Sequence, residues 1–267
     1  MKALILNSGM GSRMGVLTSE HPKCMTEVSA HDTILSRQLR QLAEVGIEEV
    51  VMTTGLFDSI LIQYCRSLEL PLHFTFVKNP KYQETNYIYS IYCARKELQE
   101  DDILLMHGDL VFENSVLDAM LACRESCMAV SSTLPLPEKD FKAAVKNGRI
   151  TTVGIEFFND AVAAQPLYML RKADWKIWLD QIVRFCELQN VKCYAENAFN
   201  EVSENCMLYP LDIREELCAE IDNPEDLAVV SEKIRQVERR KVYMCFSTDM
   251  VHSGHIAIIK KAARLGK

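Results

Sequence analysis

Lys2-Ala-Leu-Ile-Leu-Asn-Ser-Gly-Met-Gly-Ser-Arg13, followed by His21-Pro22-Lys23, is the stretch whose reading decides the fold. Residues 3–6 form an unbroken apolar run and read as a buried strand. The run ends in a short polar loop that holds Gly9 and Gly11. Glycines let a backbone approach a ligand closely and turn N–H donors toward it. Arg13 and Lys23 nearby suggest that the ligand is a polyanion. The loop is neither common phosphate loop. It lacks G-x-x-x-x-G-K-[ST], and it has no third spaced glycine for a dinucleotide fingerprint. A glycine pair alone also serves plain turns, so it is the combination with Arg13 and Pro22-Lys23 that carries the signal.

Outward from this loop, strands and helices alternate. Residues 34–45 carry apolar side chains at helical spacing and stop at Gly46. Residues 48–53 read as a second strand, ended by Thr54-Gly55. Residues 56–68 read as a helix and 72–77 as a third strand. Such alternation predicts a parallel sheet with helices on both faces. Ligands bind at the carboxyl ends of the strands in sheets of this kind, and the first loop lies at such an end. Asn79 to Tyr92 follows, with Thr85 or Asn86 able to cap a helix. Its tyrosines read first as packing. Asn86 and Ser90 would place polar groups at a helix N-terminus, which favours an anion.

Residues 102–106 read as a fourth strand, running into His107-Gly108-Asp109. One Asp after a strand is often only a turn residue. A second acidic group, Glu220-Ile221-Asp222, gives Asp109 a possible partner, and strand alternation puts Glu220 and Asp222 on one face. Mg²⁺ typically takes one or two carboxylates together with substrate phosphates. Residues 128–133 and 162–170 read as strands. Asn147-Gly148 between alternating runs predicts a hairpin. Residues 173–189 read as an amphipathic helix in which Trp175 and Trp178 share a core face. Glu196-Asn197-Ala198-Phe199-Asn200-Glu201 reads either as a solvated loop or as a pocket for a cationic head group. Two Glu and two Asn around a single Phe favour a primary ammonium, with Tyr168 or Tyr87 supplying aromatic walls. A last helix over 225–240 follows Asn223-Pro224, and a domain boundary is expected at its end.

The chain has 267 residues, 48% apolar and 25% charged, with a net charge of −7. That length allows one large domain or two small ones, and the composition is that of an ordinary globular protein. The net acidity argues against a general nucleic-acid-binding role. No apolar run approaches a membrane span and no signal-peptide pattern opens the chain, so a cytoplasmic protein is expected. The ten cysteines are scattered in apolar contexts without a CxxC. They read as reduced core residues rather than as disulfides or a zinc site.

Leu6-Asn-Ser-Gly-Met-Gly-Ser-Arg13 with Pro22-Lys23 resembles the opening of sugar-phosphate and alcohol-phosphate nucleotidyltransferases, roughly L-x-A-x-G-x-G-[ST]-R and then P-K. It departs from that pattern at Asn7-Ser8, where the family often has two alanines. The Asn86-x-x-Tyr89-Ser90 segment is more similar to the choline-phosphate and 2-aminoethylphosphonate cytidylyltransferases than to the sugar-nucleotide enzymes. The resemblance spans about residues 1–240. It implies an α/β, Rossmann-like (GT-A-like) nucleotidyltransferase with a mixed, mainly parallel sheet flanked by helices and a small acceptor-binding lid over about 134–215. It also implies CTP and a small phosphonate or phosphate-monoester acceptor as partners, with transfer of CMP and release of pyrophosphate. Carried onto this sequence, the nucleotide falls to Asn7, Ser8, Gly9, Gly11, Ser12, Arg13, Gly55, Asn86, Ser90 and Gly108. Catalysis falls to Arg13 and Lys23, and the acceptor to Lys23, Tyr87, Tyr168, Glu196, Asn197 and Glu201. Mg²⁺ falls to Asp109 and Asp222, with Glu220 ranked behind them. The preferred acceptor is 2-aminoethylphosphonate. Phosphocholine is the nearest alternative, then a sugar 1-phosphate, then a non-catalytic nucleotide-binding module.

Residues 241–267 read as a new strand followed by His252-Ser-Gly-His255 at the start of a helix. This resembles the first βα unit of a different, H-x-G-H cytidylyltransferase family, whose modules also occur joined to phosphoenolpyruvate mutase. One βα unit cannot build its own core. The expectation is therefore a truncated second module, fused to further C-terminal modules in a longer polypeptide, and no activity is assigned to His252 or His255.

Overall fold

In the computed structural model, residues 1–245 and 250–263 are described. Strand β1 (Lys2–Leu6) lies in the middle of a sheet, between β2 (Glu49–Thr54) and β4 (Ile103–His107), parallel to both. Strand β3 (His73–Lys78) extends the parallel part beyond β2. On the other side β9 (Ala161–Leu170) runs antiparallel to β4 and to β6 (Cys127–Ser131), and β10 (Tyr209–Asp212) pairs parallel to β6. The order is β10-β6-β9-β4-β1-β2-β3.

Both faces of β1 are covered, which is why its sequence is continuously apolar instead of alternating. Leu4 and Leu6 pack into one core with Ile88, Ile91, Trp175 and Trp178, while Ala3 and Ile5 pack into a second with Leu35, Leu39 and Leu42. The second core lies under α1 (Ile34–Glu44), whose buried leucines recur at helical spacing. Thr33 caps that helix by accepting from Ser36 N, and Gly46 follows its end in the left-handed region, φ 77°. Helices α2 (Asp58–Ser67) and α4 (Asn114–Ala122) add to this layer, since Leu61, Cys65, Val116 and Leu117 belong to the same core. The first core lies under α3 (Tyr87–Ala94) and α5 (Lys172–Glu187). Trp175 and Trp178 sit edge to face, 5.9 Å apart, on the shared core face that their spacing predicts. A hairpin of β7 (Lys142–Lys146) and β8 (Arg149–Gly154) hangs from β9. It turns at Asn147 and Gly148, both with positive φ as a tight hairpin turn requires.

One expectation is corrected. The polar run Glu196–Glu201 is not a solvated loop, because it lies within helix α6 (Ala195–Val202). Ala195, Ala198 and Phe199 form its buried face. Its amides serve structure: Asn197 Oδ1 accepts from Tyr194 N, and Asn200 both accepts from Val153 N and donates to Val153 O, closing the edge of β8.

A short strand β11 (Cys218–Glu220) pairs antiparallel with β5 (Leu110–Phe112), and Ile221 N donates to Asp109 O. This pairing brings the late acidic segment to the end of β4. Helix α7 (Pro224–Glu238) follows, with Asn223 accepting from Asp226 N and proline at its first turn. Residues 241–245 form no strand. The rest of the strand expected there, 246–249, lies outside the described residues. Helix α8 (Ser253–Ala263) begins just after His252 and buries none of its residues. All ten cysteines are free. Burial pushes the thiols of Cys65, Cys186 and Cys206 up to about 12, so they stay protonated as core residues. Among the described residues no helix is long and apolar enough to cross a membrane.

Candidate active site

The loop after β1 is held open by contacts beneath it. Asn7 N donates to Thr53 Oγ1, and Ser8 Oγ lies 2.6 Å from Ser90 Oγ, which also accepts from Asn79 Nδ2. Two glycines make this close approach possible. A Cβ on Gly55 would stand 2.5 Å from Ser8 O, and one on Gly108 would stand 1.7 Å from Asn7 Oδ1. Gly11 takes a left-handed φ of 63° and redirects the chain toward Arg13.

The loop lines two adjoining hollows. One, of about 440 Å³, is walled by Ser8, Gly9, Gln83, Thr85, Asn86 and Asp109. That volume falls in the range of small-molecule sites. The other lies among Gly11, Ser12, Arg13, Lys23, Gly108 and Asp222. Between them stands the charged centre. Lys23 Nζ is 2.5 Å from Asp109 Oδ2 and 2.6 Å from Asp222 Oδ1, and Arg13 reaches the same Asp222 oxygen at 3.0 Å. Burial works against the Lys23 ammonium, but Asp109 and Asp222 outweigh it and raise its pKa. Burial likewise works against the Asp109 carboxylate, and Lys23, then His107, bring its pKa below the ordinary value. Both groups are therefore charged at neutral pH.

Glu220 does not join that ion pair. Its Oε1 lies 2.9 Å from His107 Nδ1. Burial and Asp109 raise the Glu220 pKa, and the Glu220 carboxylate in turn raises that of His107 against the ring's own burial. His107, Asp109 and Glu220 each offer a ligand atom within 4.8 Å of the others.

A third hollow opens beside this centre, lined by Tyr87, Tyr194, Phe141, Asp140, Glu220 and Asp222. Its rings pack on one another, Tyr87 with Tyr194 at 5.8 Å and Phe141 with Tyr194 at 5.1 Å. Asp140 is raised by burial, then by Asp222 and Asp226. Behind the rings Glu196, 2% exposed, accepts from the hydroxyls of Tyr87 and Tyr168. Burial and the Glu196 charge push both phenols well above their ordinary pKa.

The geometry thus gathers Ser8, Gly9, Gly11, Ser12, Arg13, Lys23, Asn86, Tyr87, Gly108, Asp109, Glu220 and Asp222 around one cleft. Others act from behind. Ser90 is fully buried and braces Ser8, Gly55 gives that loop room, and Tyr168 is fully buried against Glu196. Two residues expected at the acceptor lie elsewhere: Asn197 is spent on the Tyr194 amide, and Glu201 is exposed and bonded to Gln181, so neither lines any of the three hollows. Glu196 lies beneath the tyrosines, its oxygens already engaged. His107, Phe141, Asp140 and Tyr194 were not singled out from the sequence. For His107 the signal was its place at the end of a strand, two residues before Asp109.

A sequence model of the family described as "MobA-like NTP transferase domain" matches residues 3–172. The CMP-5'-(3-aminopropyl)phosphonate synthase of Streptomyces rubellomurinus is 35% identical over 136 residues, covering 51% of this chain and 21% of that protein. The CTP:phosphoglutamine cytidylyltransferase of Campylobacter jejuni is 28% identical over 135 residues, covering 49% of this chain and 52% of that protein. The chain thus spans about a fifth and about half of the lengths of these two relatives. Among solved structures, the CTP:phosphocholine cytidylyltransferase of Streptococcus pneumoniae superposes with a TM-score of 0.69 at 17% identity, covering 87% of this chain and 98% of that one. At that identity the likeness concerns the fold, an α/β nucleotidyltransferase fold with a mainly parallel sheet.

Proposed function

The chain belongs to the MobA-like NTP transferase domain family, and from that premise we propose that it is a cytidylyltransferase that moves CMP from CTP onto a phosphonate or phosphate monoester bearing an ammonium group, with 2-aminoethylphosphonate the preferred acceptor. The observation that carries this reading is Lys23, held between Asp109 and Asp222 at the mouth of the glycine loop. A lysine kept charged between two carboxylates, beside backbone donors and an arginine, is suited to a phosphoryl group in transfer. CTP as donor is supported by the two relatives, whose names describe CMP or CTP chemistry.

On this reading the Gly9–Gly11 segment and Arg13 hold the β- and γ-phosphates. Lys23 meets the α-phosphate or the incoming acceptor oxygen. An ionised acceptor oxygen attacks the α-phosphorus, a new P–O bond forms, the bond to the β-phosphate oxygen breaks, and pyrophosphate leaves. Phosphonate oxygens are already ionised near neutrality, so no side chain needs to take a proton. Rate comes from alignment and charge neutralisation. The donor set fits Mg²⁺: Asp109, Asp222 and Glu220 offer carboxylate oxygens, and Asp109 Oδ1 is buried without a hydrogen-bond partner among the described residues. These residues would hold the ion, which supplies charge neutralisation at the nucleotide phosphates.

The acceptor hollow combines the rings of Tyr87, Tyr194 and Phe141 with Asp140 and Asp222. Carboxylates suit a primary ammonium and rings suit a quaternary one. The name of the Streptomyces relative, an aminoalkylphosphonate product, favours the primary amine. The three rings make phosphocholine the second reading. The deciding experiment measures pyrophosphate release with Mg²⁺ and CTP, 2-aminoethylphosphonate against phosphocholine. A higher kcat/KM for the phosphonate supports the first reading, and a higher one for phosphocholine replaces it with the second. No release with either overturns both.

A further inference from the structure

Helix α1 carries two amides on its buried face, Gln38 and Gln41, among Leu35, Leu39 and Leu42. They stand three residues apart, on one side of the helix. Gln38 Nε2 donates to His107 O at 2.9 Å and to Leu110 O at 2.7 Å. Two carbonyl acceptors on one atom fix that atom as the nitrogen, since a carbonyl offers no hydrogen. Gln41 Nε2 donates further along the chain, to Phe112 O at 3.0 Å and Asn114 Oδ1 at 2.7 Å. In both residues Oε1 is buried without a hydrogen-bond partner among the described residues. Burial of such an atom is unfavourable. What each amide gives in return is its pair of N–H bonds.

The pair made by Gln38 falls around Asp109. Strand β4 ends at His107 and β5 starts at Leu110, so Gly108 and Asp109 lie in the turn between them. Gly108 N donates to Leu6 O, and Asp109 O accepts from Ile221 N. Gln38 holds the carbonyls on either side, and so closes the turn across its ends. The same helix is tied at its start to the other partner of the ion pair. Ile34, its first residue, donates from N to Thr26 O at 3.0 Å, and Thr26 N donates to Lys23 O at 3.0 Å. Gln38 lies about one helical turn beyond Ile34. A single turn of α1 thus links the backbone of Lys23 to the turn of Asp109. Across that link Lys23 Nζ meets Asp109 Oδ2 at 2.5 Å, although the two residues are 86 positions apart.

We propose that Gln38 is a positioning residue: through His107 O and Leu110 O it sets where Asp109 stands against Lys23, with the first turn of α1 as the spacer. Its effect on turnover rests on the reading that Lys23 and Asp109 act at the nucleotide phosphates. Gln38 touches no substrate. It acts because charge neutralisation depends on distance, and a misplacement of about 1 Å costs up to roughly a hundredfold in rate. Gln41 is the comparison built into the same helix face. It makes the same number of bonds from the same depth, but beyond the Asp109 turn.

The test compares Gln38→Met with Gln41→Met in the whole chain. Methionine keeps the length of glutamine and removes both hydrogens, so each variant leaves two acceptors unpaired. Pyrophosphate release with CTP, Mg²⁺ and the better of the two acceptors is measured at a temperature where circular dichroism finds both variants folded. A merely structural role lowers the thermal midpoint of both and spares the turnover of both. The expected result is a fall in kcat of about tenfold to a hundredfold in Gln38→Met, larger than any rise in its KM for CTP, and a kcat within about twofold of wild type in Gln41→Met. An unchanged kcat in Gln38→Met overturns the proposal, as do equal falls in the two variants. If Gln38→Met does not fold, Gln38→Glu takes its place, since a carboxyl group offers the two carbonyls one hydrogen at most. A lowered kcat is again expected, and an unchanged one again overturns the role. A crystal structure of the folded Gln38 variant gives a readout that needs no activity. The Lys23–Asp109 contact is expected to open, and a contact kept at its wild-type distance overturns the proposal. If the contact opens while the wild type releases no pyrophosphate, the proposed reaction fails and the geometric role of Gln38 stands.

Discussion

At the scale of single residues, Lys23 carries the most. Its side chain is 13% exposed and its ammonium pairs with two carboxylates at once. In Lys23→Ala, turnover with CTP should fall by about two to three orders of magnitude, the usual cost of losing one well-placed donor to developing charge. Circular dichroism should remain that of the folded chain. Near-normal turnover would remove Lys23 from the reaction. Gly55 makes a different point, because it touches no substrate on the proposed reading. A Cβ there meets the carbonyl of Ser8 at 2.5 Å, which is backbone and cannot swing away. Gly55→Ala should therefore push the loop out of place, raising the KM for CTP at least tenfold with a smaller change in the KM for the acceptor. Equal KM values for CTP in the two proteins would show that the loop tolerates the shift. Lys23 and Gly55 also differ in how legible they were. Lys23 stands next to a proline after a glycine loop, a local pattern. The reason for Gly55 is a contact with a residue on another strand. His107 was half legible: its place at the strand end showed in the sequence, but its partner Glu220 arrives only when β11 pairs with β5.

At the scale of elements, continuous burial made the sheet readable and capping made one helix unreadable. Strand β1 is buried on both sides and therefore prints as an apolar run. Helix α6 presents Glu, Asn, Asn and Glu in six residues, which looks like loop chemistry. Yet Asn197 bonds the Tyr194 amide ahead of its helix and Asn200 bonds the β8 edge. Asn200→Ala should lower stability by about 1–3 kcal/mol, because Val153 is left with a buried N–H and C=O unpaired. Thermal or urea unfolding reads this, and an unchanged midpoint would mean that water replaces the amide. The start of α5 offers a pH test. Asp102 accepts from Lys172 N and Arg171 Nη1 at 2.8 and 2.9 Å. Burial raises its pKa, but these two donors outweigh burial and the net direction is downward. A lowered folded pKa means stability that is present above the ordinary carboxylate value, about 4, and lost as the pH falls through the depressed value. Asp102→Asn should therefore lose part of its stability at neutral pH and show a flatter acid limb below about pH 4 than the wild type. Parallel acid limbs in the two proteins would assign the pH dependence to other carboxylates.

At the scale of the whole molecule, the sheet changes direction between β4 and β9, and the two substrates of the proposed reaction divide along that line. The parallel part, β1 with β2 and β4, supplies the glycine loop and Lys23 through their carboxyl ends. The antiparallel part, β9 with its β7–β8 hairpin and α6, brings Phe141 and Tyr194 to the far wall. Asp109 sits where the parts meet, since all three hollows include it. If the rings of the far wall recognise an ammonium group, removing one should weaken the acceptor alone. Cation–ring contacts are worth about 0.5–2 kcal/mol, roughly a 2- to 30-fold change in affinity. Tyr194→Ala should raise the KM for the ammonium-bearing acceptor within that range and leave the KM for CTP within about twofold. Tyr194→Phe keeps the ring and should restore most of the loss. An acceptor that lacks the ammonium group should be a poor substrate for the wild type and respond little to either change. A rise in the KM for CTP as large as that for the acceptor would mean that the far wall holds the nucleotide, and the division of the cleft between the two parts of the sheet would have to be reversed.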